Sequence, residues 1–301
     1  METAIKINNI SRGYGKVLAL NNVSLDIGRG ELFGLIGPDG AGKTTLFRIL
    51  ATLIMPGSGS ISMNGMDVVR DYKKLREDTG YMPGQFSLYK DLTVEENLSF
   101  FASVFGTSVE ENYHLIKDIY CMLEPFKKRR AAKLSGGMKQ KLALCCALIH
   151  CPSVLLLDEP TTGVDPVSRR EFWEMLHGLR ERNITVVVST PYMDEANMCD
   201  RIALLSNGEI LNVDTPANLV AGFGRKLWSV KGADMYRLLI DIRGFEGVES
   251  AYSFGENHHV CFKDDNQDID AFRKYLAVKG HTDVEIKEIA PNIEDCYMLL
   301  S

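Results

Sequence analysis

Long hydrophobic runs are missing from this sequence. The most apolar stretch, Leu142 to Leu157, is interrupted by His150, Pro152 and Ser153, whereas a membrane-spanning helix needs ~20 consecutive apolar residues. The N-terminal METAIKINNI has no basic segment followed by an apolar one, as a signal peptide would have. We therefore expect neither a membrane span nor a secretory leader, and any membrane role must come through a partner.

Patterns typical of disulfides and of metal sites are also missing. The seven cysteines are scattered through apolar segments, and this odd number argues for reduced thiols. Cys145, Cys146 and Cys151 cluster without paired ligand spacing, so helix packing is the favoured interpretation. His258 and His259 alternate faces of a predicted strand and cannot both bind one metal, so we expect a surface role for them.

Excess positive charge is absent as well, and the composition is that of an ordinary globular protein. The net charge of -6 argues against a general attraction to nucleic acid. With 301 residues, 45% of them hydrophobic, the chain can form one large domain and one small domain.

Alternating strand and helix patterns predict an α/β fold for residues 1–222, with a mostly parallel sheet covered on both faces. Antiparallel strands are expected at the N-terminus, around a turn at Gly13-Tyr14-Gly15. A capping box of Thr93 and Glu96 begins an inserted helical subdomain, about residues 93–150. A βαββαβ order over residues 223–301 predicts a small α+β, ferredoxin-like domain.

One stretch carries a phosphate-binding pattern. The residues Gly37, Pro38, Asp39, Gly40, Ala41, Gly42, Lys43, Thr44 and Thr45 match G-x-x-x-x-G-K-[ST] and follow the apolar run LFGLI. Its glycines let the backbone N–H groups point at a polyphosphate. Lys43 would reach the β- and γ-phosphates, Thr44 would bind Mg²⁺, and the following helix would direct its positive end at the same anion. A glycine-rich turn that binds nothing is the alternative, and the order of strand, loop and helix disfavours it.

Two carboxylates follow the apolar run VLLL. A buried parallel strand would present Asp158 beside the phosphate-binding loop, where it could bind Mg²⁺ through water. The Glu159 side chain would point in a different direction from that of Asp158 and could polarise an attacking water. A solvated acidic turn is the alternative, and the phosphate-binding pattern elsewhere in the domain makes it less favoured.

A second helix start also has the features of an anion site. Ser135 is a predicted N-cap and is followed by Gly136 and Gly137. Since one helix of the domain already faces a phosphate, this one would serve a nucleotide held by another subunit. A plain capped helix would be the usual interpretation of the pattern in isolation.

Together these motifs resemble those of the nucleotide-binding subunits of ATP-binding cassette (ABC) transporters, which are P-loop ATPases. GPDGAGKTT is similar to the Walker A loop, LSGGMKQ to the signature motif, VLLLDEP to Walker B, and TTGVDP, with Asp165, to the D-loop. The resemblance covers residues 5 to about 215. It implies a head-to-tail dimer that binds two ATP molecules with Mg²⁺, each between the Walker motifs of one subunit and Ser135, Gly136 and Gly137 of the other. Tyr14 lies where the family stacks an aromatic ring on adenine.

The resemblance also implies an ATP hydrolase with two kinds of partner. These are a second ABC subunit, identical or different, and an integral-membrane permease that holds the chain at the cytoplasmic face of the plasma membrane. The segments LSGGMKQ, TVEENL and IEDCYML look most like those of drug-exporter-type subunits. A soluble ABC ATPase acting on nucleic acid or ribosomes and a nucleotide-sensing regulatory subunit remain as alternatives. The single cassette and the net charge of -6 argue against the first.

Two positions depart from the family pattern. Pro191 stands where the family has a histidine that contacts the γ-phosphate, and proline offers neither an imidazole nor a backbone N–H. Thr190 or a water is the candidate substitute. Gly84 stands where the family has a Mg²⁺-contacting glutamine, and Gln85 comes one residue late, although a bend at Gly84 could bring it to the ATP. We hypothesise that this chain's own Walker site hydrolyses slowly, while its signature motif completes a competent site in a different partner.

Overall fold

The computed structural model describes residues 2–180 and 182–301. The strands are β1 (Thr3–Tyr14), β2 (Val17–Gly28), β3 (Leu32–Ile36), β4 (Ser58–Met63), β5 (Met66–Asp67), β6 (Thr79–Met82), β7 (Val154–Asp158), β8 (Thr185–Thr190), β9 (Arg201–Ser206), β10 (Glu209–Asp214), β11 (Leu227–Lys231), β12 (Val248–Phe254), β13 (Asn257–Phe262) and β14 (Glu285–Ile289). The helices are α1 (Lys43–Leu50), α2 (Tyr72–Asp78), α3 (Val94–Val104), α4 (Val109–Tyr120), α5 (Gly136–Leu148), α6 (Pro166–Arg180), α7 (Pro216–Ala221), α8 (Met235–Arg243), α9 (Ile269–Val278) and α10 (Ile293–Leu300). Across the described residues, none of these helices is both long enough and apolar enough to cross a bilayer.

The chain divides into two compact units, of which the first ends at Pro216 and the second comprises Ala217–Leu300. In the first unit a six-stranded sheet has the order β10-β9-β3-β8-β7-β6. All of its pairs are parallel except β10 with β9. The strands β3, β7 and β8 are buried along their whole length, as strands covered on both faces must be. The predicted mostly parallel sheet is therefore confirmed, and the carboxyl ends of these three strands lie at one edge.

A second sheet of the first unit has the order β2-β1-β4-β5 and is antiparallel. Antiparallel N-terminal strands were predicted correctly, but β1 continues through Gly13 and Tyr14 and does not turn there. The pairing of Tyr14 with Val17 places the turn at Gly15 and Lys16, so it begins two residues later than predicted and shares only Gly15 with the predicted turn. Apolar side chains of β1, β2, β3 and α1 form one core, with Ile5 and Phe47 among its fully buried members.

The helices between β6 and β7 begin with strong local signals. Capping boxes start α3, with Thr93 and Glu96, and α4, with Ser108 and Glu111. Each box satisfies backbone N–H groups that have no partner within the helix. Both helices pack against α5, so the residues predicted to form a helical subdomain do form a group of packed helices.

The second unit contains a four-stranded antiparallel sheet with the order β12-β13-β11-β14. The strand β13 lies between β11 and β12, which are connected through α8, so the βαβ unit is split by a third strand. This topology confirms the predicted ferredoxin-like order. One face of the sheet packs in a cluster with Leu238 and Phe272, and the other packs in a cluster with Phe223 and Cys296.

The predicted surface role of His258 and His259 is wrong. Their side chains do point to opposite faces of β13, but that strand is covered on both faces, so the two residues are 2% and 8% exposed. The Nε2 atom of His258 lies 2.7 Å from the carbonyl oxygen of Met235. On the other face, Nδ1 of His259 lies 2.6 Å from Oδ1 of Asp295. Both imidazoles are thus buried polar groups with hydrogen-bond partners, as burial requires.

Candidate nucleotide-binding site

The phosphate-binding loop connects β3 to α1 and requires glycine for two physical reasons. A Cβ at Gly37 would collide with the carbonyl oxygen of Leu205, and a Cβ at Gly42 would collide with that of Ala19. Gly42 also has a φ of 110°, in the left-handed region that glycine tolerates best. Because Gly42 is the N-cap of α1 and has no side chain, the N–H groups of the first turn are left for an anion.

Lys43 is buried beneath this loop, with 3% of its surface exposed. Its ammonium donates hydrogen bonds to the carbonyl oxygens of Gly37 at 2.8 Å and Pro38 at 3.0 Å. It also forms an ion pair with Glu159, whose Oε1 lies 3.3 Å away. The buried cation is therefore fixed by the loop backbone at the position where the sequence pattern predicts phosphate contacts.

Thr44 and Asp158, the two residues predicted to bind Mg²⁺, lie next to each other. The hydroxyl of Thr44 lies 3.3 Å from Oδ1 of Asp158, the last residue of β7, which is 2% exposed. Magnesium prefers oxygen ligands and typically takes one or two from the protein, the rest coming from water and substrate phosphates. A hydroxyl and a buried carboxylate beside a phosphate-binding loop fit that requirement. Thr44 and Asp158 are therefore the residues that would hold the ion.

A third side chain, that of Ser189, completes this arrangement. Its hydroxyl donates to Oδ1 of Asp158 at 2.6 Å and accepts from the N–H of Glu159 at 3.0 Å. The parallel register of β7 and β8 pairs Asp158 with Ser189 and so brings them together. Ser189 is not among the residues predicted from the sequence; the signal that could have found it is a polar residue after three valines at the carboxyl end of a buried strand.

Glu159 follows β7 in an unusual backbone conformation. Its φ is 50°, which for a residue other than glycine costs of order 1–3 kcal/mol. Its N–H donates to both the hydroxyl and the carbonyl oxygen of Ser189, at 3.0 and 3.1 Å. Gly84 lies against this turn, since a Cβ there would be 3.0 Å from the carbonyl oxygen of Asp158. Gln85, the next residue, is exposed.

The segment after β8 contains Pro191, at the position where the family resemblance implies a histidine. The hydroxyl of Thr190, which is 0% exposed, donates to Oε2 of Glu195 at 2.5 Å and accepts from the N–H of Tyr192 at 3.1 Å. Because its only proton is engaged by Glu195, this hydroxyl cannot donate to a phosphate without breaking that bond. The geometry therefore argues against Thr190 as the substitute for the histidine.

Glu195 is the centre of a buried polar network that the sequence analysis did not find. It is 3% exposed and also accepts a hydrogen bond from Thr161 at 3.0 Å. The Nε atom of Arg169 lies 3.5 Å from its Oε1, and the Arg169 guanidinium lies 4.2 Å from the centroid of the Tyr192 ring. This network links the segment after β8 to the loop after Glu159 and to α6.

The signature residues lie at the start of α5. Ser135 is the N-cap, and its hydroxyl accepts from the N–H of Met138 at 3.3 Å. Gly137 is buried, and a Cβ there would lie 2.6 Å from the hydroxyl of Ser168, so close packing on α6 requires glycine. Ser135 and Gly136 are exposed, and an exposed helix start can bind an anion from another molecule.

The remaining candidates are Asp165 and Tyr14. Asp165 caps α6, and the backbone N–H of Ser168, 3.0 Å from its Oδ1, holds the pKa of Asp165 below its ordinary value. The ring of Tyr14 is 45% exposed and lies 5.3 Å from the Arg12 guanidinium. Within residues 2–180 and 182–301, no hydrogen bond or ion pair joins Tyr14, Gln85, Ser135 or Asp165 to the phosphate-binding loop. The structure thus brings together Lys43, Thr44, Asp158 and Glu159, but not these four.

A glycine-rich loop that begins a helix, beside a carboxylate at the end of a neighbouring parallel strand, defines a P-loop nucleotide-binding protein. Residues 20–162 match the family model described as ABC transporter. The chain is 33% identical over 301 residues to the Nod factor export ATP-binding protein I of Burkholderia lata, covering 99% of this chain and 96% of that protein. It therefore belongs to the family of ABC transporter ATP-binding proteins.

Other relatives support the same assignment. Over 225 residues the chain is 43% identical to the probable multidrug ABC transporter ATP-binding protein YbhF of Escherichia coli, covering 73% of this chain but only 38% of that protein. A solved ATP-binding subunit of an ABC transporter is 30% identical with a TM-score of 0.67, covering 74% of this chain and 94% of the other. The dimeric ATP-binding cassette MJ0796 bound to ADP and Pi is 29% identical with a TM-score of 0.63, covering 70% and 98%.

Proposed function

We propose that this chain is the ATP-hydrolysing subunit of an ABC exporter and acts with a separate membrane permease. The observation that carries the proposal is the convergence of Lys43, Thr44, Asp158 and Glu159 at one edge of the parallel sheet. These residues supply the cation, the metal ligands and the carboxylate that phosphoryl transfer to water requires. The relatives include a probable multidrug ABC transporter ATP-binding protein and a Nod factor export ATP-binding protein, and the second of these names supports export as the direction of transport.

Each group has a distinct role in this proposal. The residues of the phosphate-binding loop, Gly37–Thr45, bind the polyphosphate of ATP through backbone N–H groups and the Lys43 ammonium. Thr44 and Asp158 hold Mg²⁺, which when bound neutralises charge on the phosphates. Glu159 orients the attacking water. The exposed ring of Tyr14 stacks on the adenine.

A second ABC subunit completes the site. Ser135 and Gly136 are exposed at the start of α5 and are not joined to the chain's own phosphate-binding loop by hydrogen bonds of the described residues. A head-to-tail dimer gives this helix start a role, because it would bind the γ-phosphate held by the partner subunit. Gly137 and Asp165 position that helix start and the adjoining D-loop. The dimeric ATP-binding cassette MJ0796 bound to ADP and Pi supports this arrangement.

The permease would dock beside the loop that follows β6. A cavity of about 160 Å³ opens there between this loop and α3 and α5, and its walls include Phe86, Leu88, Phe101, Phe105 and Ala143. An apolar recess of this kind suits the short helix of a membrane protein's cytoplasmic loop. Through that contact the chain would be held at the cytoplasmic face of the plasma membrane, with residues 223–301 as an accessory domain.

The two dimer sites are unequal in this proposal. Pro191 removes the imidazole that the family uses at the γ-phosphate, and Gln85 is displaced by one position from the family's glutamine. The chain's own Walker site therefore hydrolyses slowly, whereas its signature motif serves a different, histidine-bearing partner.

Purification of the full chain from membranes tests the proposal. We expect a bound polytopic permease and Mg²⁺-dependent ATP hydrolysis that rises when the permease is present. A chain found only in the soluble fraction, with the same ATPase rate whether or not membranes are added, would refute the coupling to transport.

A further inference from the structure

The hydroxyl of Ser189 lies between the two carboxylate residues of the candidate site, and nothing in the Walker or signature motifs assigns it a role. We propose that Ser189 is a positioning residue, which sets the orientation of Asp158 toward Mg²⁺ and of Glu159 toward water. The inference rests on the proposed function, because it assumes that Asp158 holds the metal ion.

The direction of each hydrogen bond is fixed by chemistry. An ionised carboxylate can only accept and a backbone N–H can only donate. The hydroxyl of Ser189 must therefore give its single proton to Oδ1 of Asp158, at 2.6 Å, and use a lone pair for the N–H of Glu159, at 3.0 Å. At 0% exposure, Ser189 has no contact with bulk water that could compete with these bonds.

The bond to Asp158 restrains its carboxylate. Oδ1 accepts from both Ser189 and Thr44, at 2.6 and 3.3 Å. Because two hydroxyls from different elements bind the same oxygen, rotation of the carboxylate about its Cβ–Cγ bond is limited. Groups that orient a metal ligand in this way typically contribute 10–100-fold to metal affinity when their removal is measured.

The bond to Glu159 restrains a strained turn. Glu159 has a φ of 50°, and its N–H is held by the hydroxyl and by the carbonyl oxygen of Ser189. The bond to the carbonyl oxygen, at 3.1 Å, does not involve the hydroxyl. We therefore expect a variant without the hydroxyl to fold while losing part of the restraint on both carboxylate residues.

The same strand offers a matched control. Thr185, at the other end of β8, is 1% exposed, and its hydroxyl accepts from the N–H of Gly30 at 3.0 Å. It is thus a second buried hydroxyl that binds a backbone N–H but lies away from both carboxylates. Thr185→Val removes a buried hydrogen bond of the same type as Ser189→Ala without touching the site.

The test measures the Mg²⁺ dependence of ATP binding by the full chain, using a fluorescent ATP analogue titrated in EDTA and at increasing Mg²⁺. In Ser189→Ala we expect a rise of roughly 10-fold or more in the Mg²⁺ concentration that gives half of the maximal increase in affinity for the ATP analogue. The affinity for the analogue in EDTA should change less than about twofold, because no metal ion is bound there. Ser189→Thr keeps the hydroxyl, so its half-maximal Mg²⁺ concentration should be close to that of the wild-type chain. Ser189→Cys keeps the volume but has only a weak donor, so it should behave as Ser189→Ala.

Two results would overturn the proposal. One is an unchanged Mg²⁺ requirement in both Ser189→Ala and Ser189→Cys, with the wild-type chain showing clear Mg²⁺ dependence. The other is an equal loss of affinity with and without Mg²⁺, matched by Thr185→Val, which would indicate a general packing defect. Absence of any Mg²⁺-dependent ATP binding in the wild-type chain is a separate result, which contradicts the proposed function itself and the inference with it.

Discussion

The ammonium of Lys43 lies 3.3 Å from Oε1 of Glu159, so an ion pair joins the phosphate-binding loop to the turn after β7. Lys43 is almost fully buried, and the Glu159 side chain is 23% exposed, so the pair is screened less than one on the surface. A phosphate bound at the loop would compete with Glu159 for the same ammonium. Nucleotide binding and the orientation of Glu159 are therefore coupled through a single cation.

The first prediction concerns Glu159 itself. Glu159→Gln keeps the size of the side chain but cannot accept a proton or polarise water as a carboxylate does, so we expect ATP turnover to fall by roughly 10²–10⁴-fold. ATP affinity should be retained, because the bound phosphate takes the Lys43 ammonium from residue 159 and does not need that carboxylate. Steady-state phosphate release and equilibrium ATP binding measure the two effects. Glu77→Gln, on the exposed face of α2, is the control, and equal turnover in both variants would remove Glu159 from the mechanism.

The second prediction separates binding from catalysis. Lys43→Met preserves much of the aliphatic chain but removes a charged donor, and a hydrogen bond to a charged group contributes about 1.5–3 kcal/mol. We expect ATP affinity to fall by roughly 10–100-fold, both in EDTA and in Mg²⁺. The exposed Lys73 of α2 provides the control Lys73→Met. A loss that appears only in Mg²⁺ would argue that Lys43 acts on the metal site and not directly on phosphate.

The sequence predicted the elements of the central sheet well because its buried strands are short apolar runs that end in polar motifs. The runs before Gly37 and Asp158 each became a strand of the parallel sheet, with the expected residues at their carboxyl ends. Local signals such as the capping box at Thr93 marked a helix start correctly. These features depend on neighbours within a few residues, which a sequence shows directly.

The features that could not be predicted depend on packing between distant segments. Ser189 acquires its partners only because β7 and β8 pair in a register that sets it opposite Asp158. The burial of His258 and His259 follows from coverage of β13 by different groups on its two faces. Alternation along β13 shows that the two imidazoles face apart, but it carries no information on whether each face is covered.

A third prediction addresses the network around Glu195. Thr161 and Thr190 both donate to Oε2 of Glu195, so the amide oxygen of Glu195→Gln can still accept from both hydroxyls. The amide NH₂ group then replaces Oε1, which removes the charge that pairs with Arg169 and sets a donor against the guanidinium. We expect a loss of about 1–3 kcal/mol in the free energy of unfolding, measured by urea denaturation. The neighbouring Asp194 is exposed, so Asp194→Asn should change that free energy by less than about 0.5 kcal/mol.

A double-mutant cycle of Glu195→Gln and Arg169→Gln measures how much of the free energy of unfolding comes from the pair that these two residues form. The Arg169 side chain is 23% exposed, so solvent partly screens its interaction with Glu195. We therefore expect a smaller coupling energy than that of a fully buried ion pair. A coupling energy of zero would show that Glu195 stabilises the segment through the threonine hydroxyls alone.

The fourth prediction uses the cysteines. Cys121 and Cys151 are exposed, and the other five are buried. Burial raises the pKa of the Cys145 and Cys199 thiols and raises that of Cys296 to about 11, so at pH 8 these groups have very little reactive thiolate. We expect two thiols to react with an aromatic disulfide reagent in the native chain and all seven in guanidinium. Cys121→Ser should lower the native count by one, and a native count above two would contradict the assigned burial.

The last prediction concerns Pro191. The neighbouring hydroxyls cannot supply the donor that the family resemblance implies at this position, because Thr190 donates to Glu195 and Ser189 donates to Asp158. A donor aimed at developing phosphate charge is commonly worth 10²–10³-fold in rate. We therefore expect Pro191→His to raise single-turnover ATP hydrolysis at the chain's own Walker site by roughly 10²-fold. Pro191→Ala also restores a backbone N–H and removes the ring constraint, so it isolates the contribution of the imidazole and should give a much smaller gain. If the wild-type chain already hydrolyses as fast as Pro191→His, another group performs this role, and the two sites of the dimer need not be unequal.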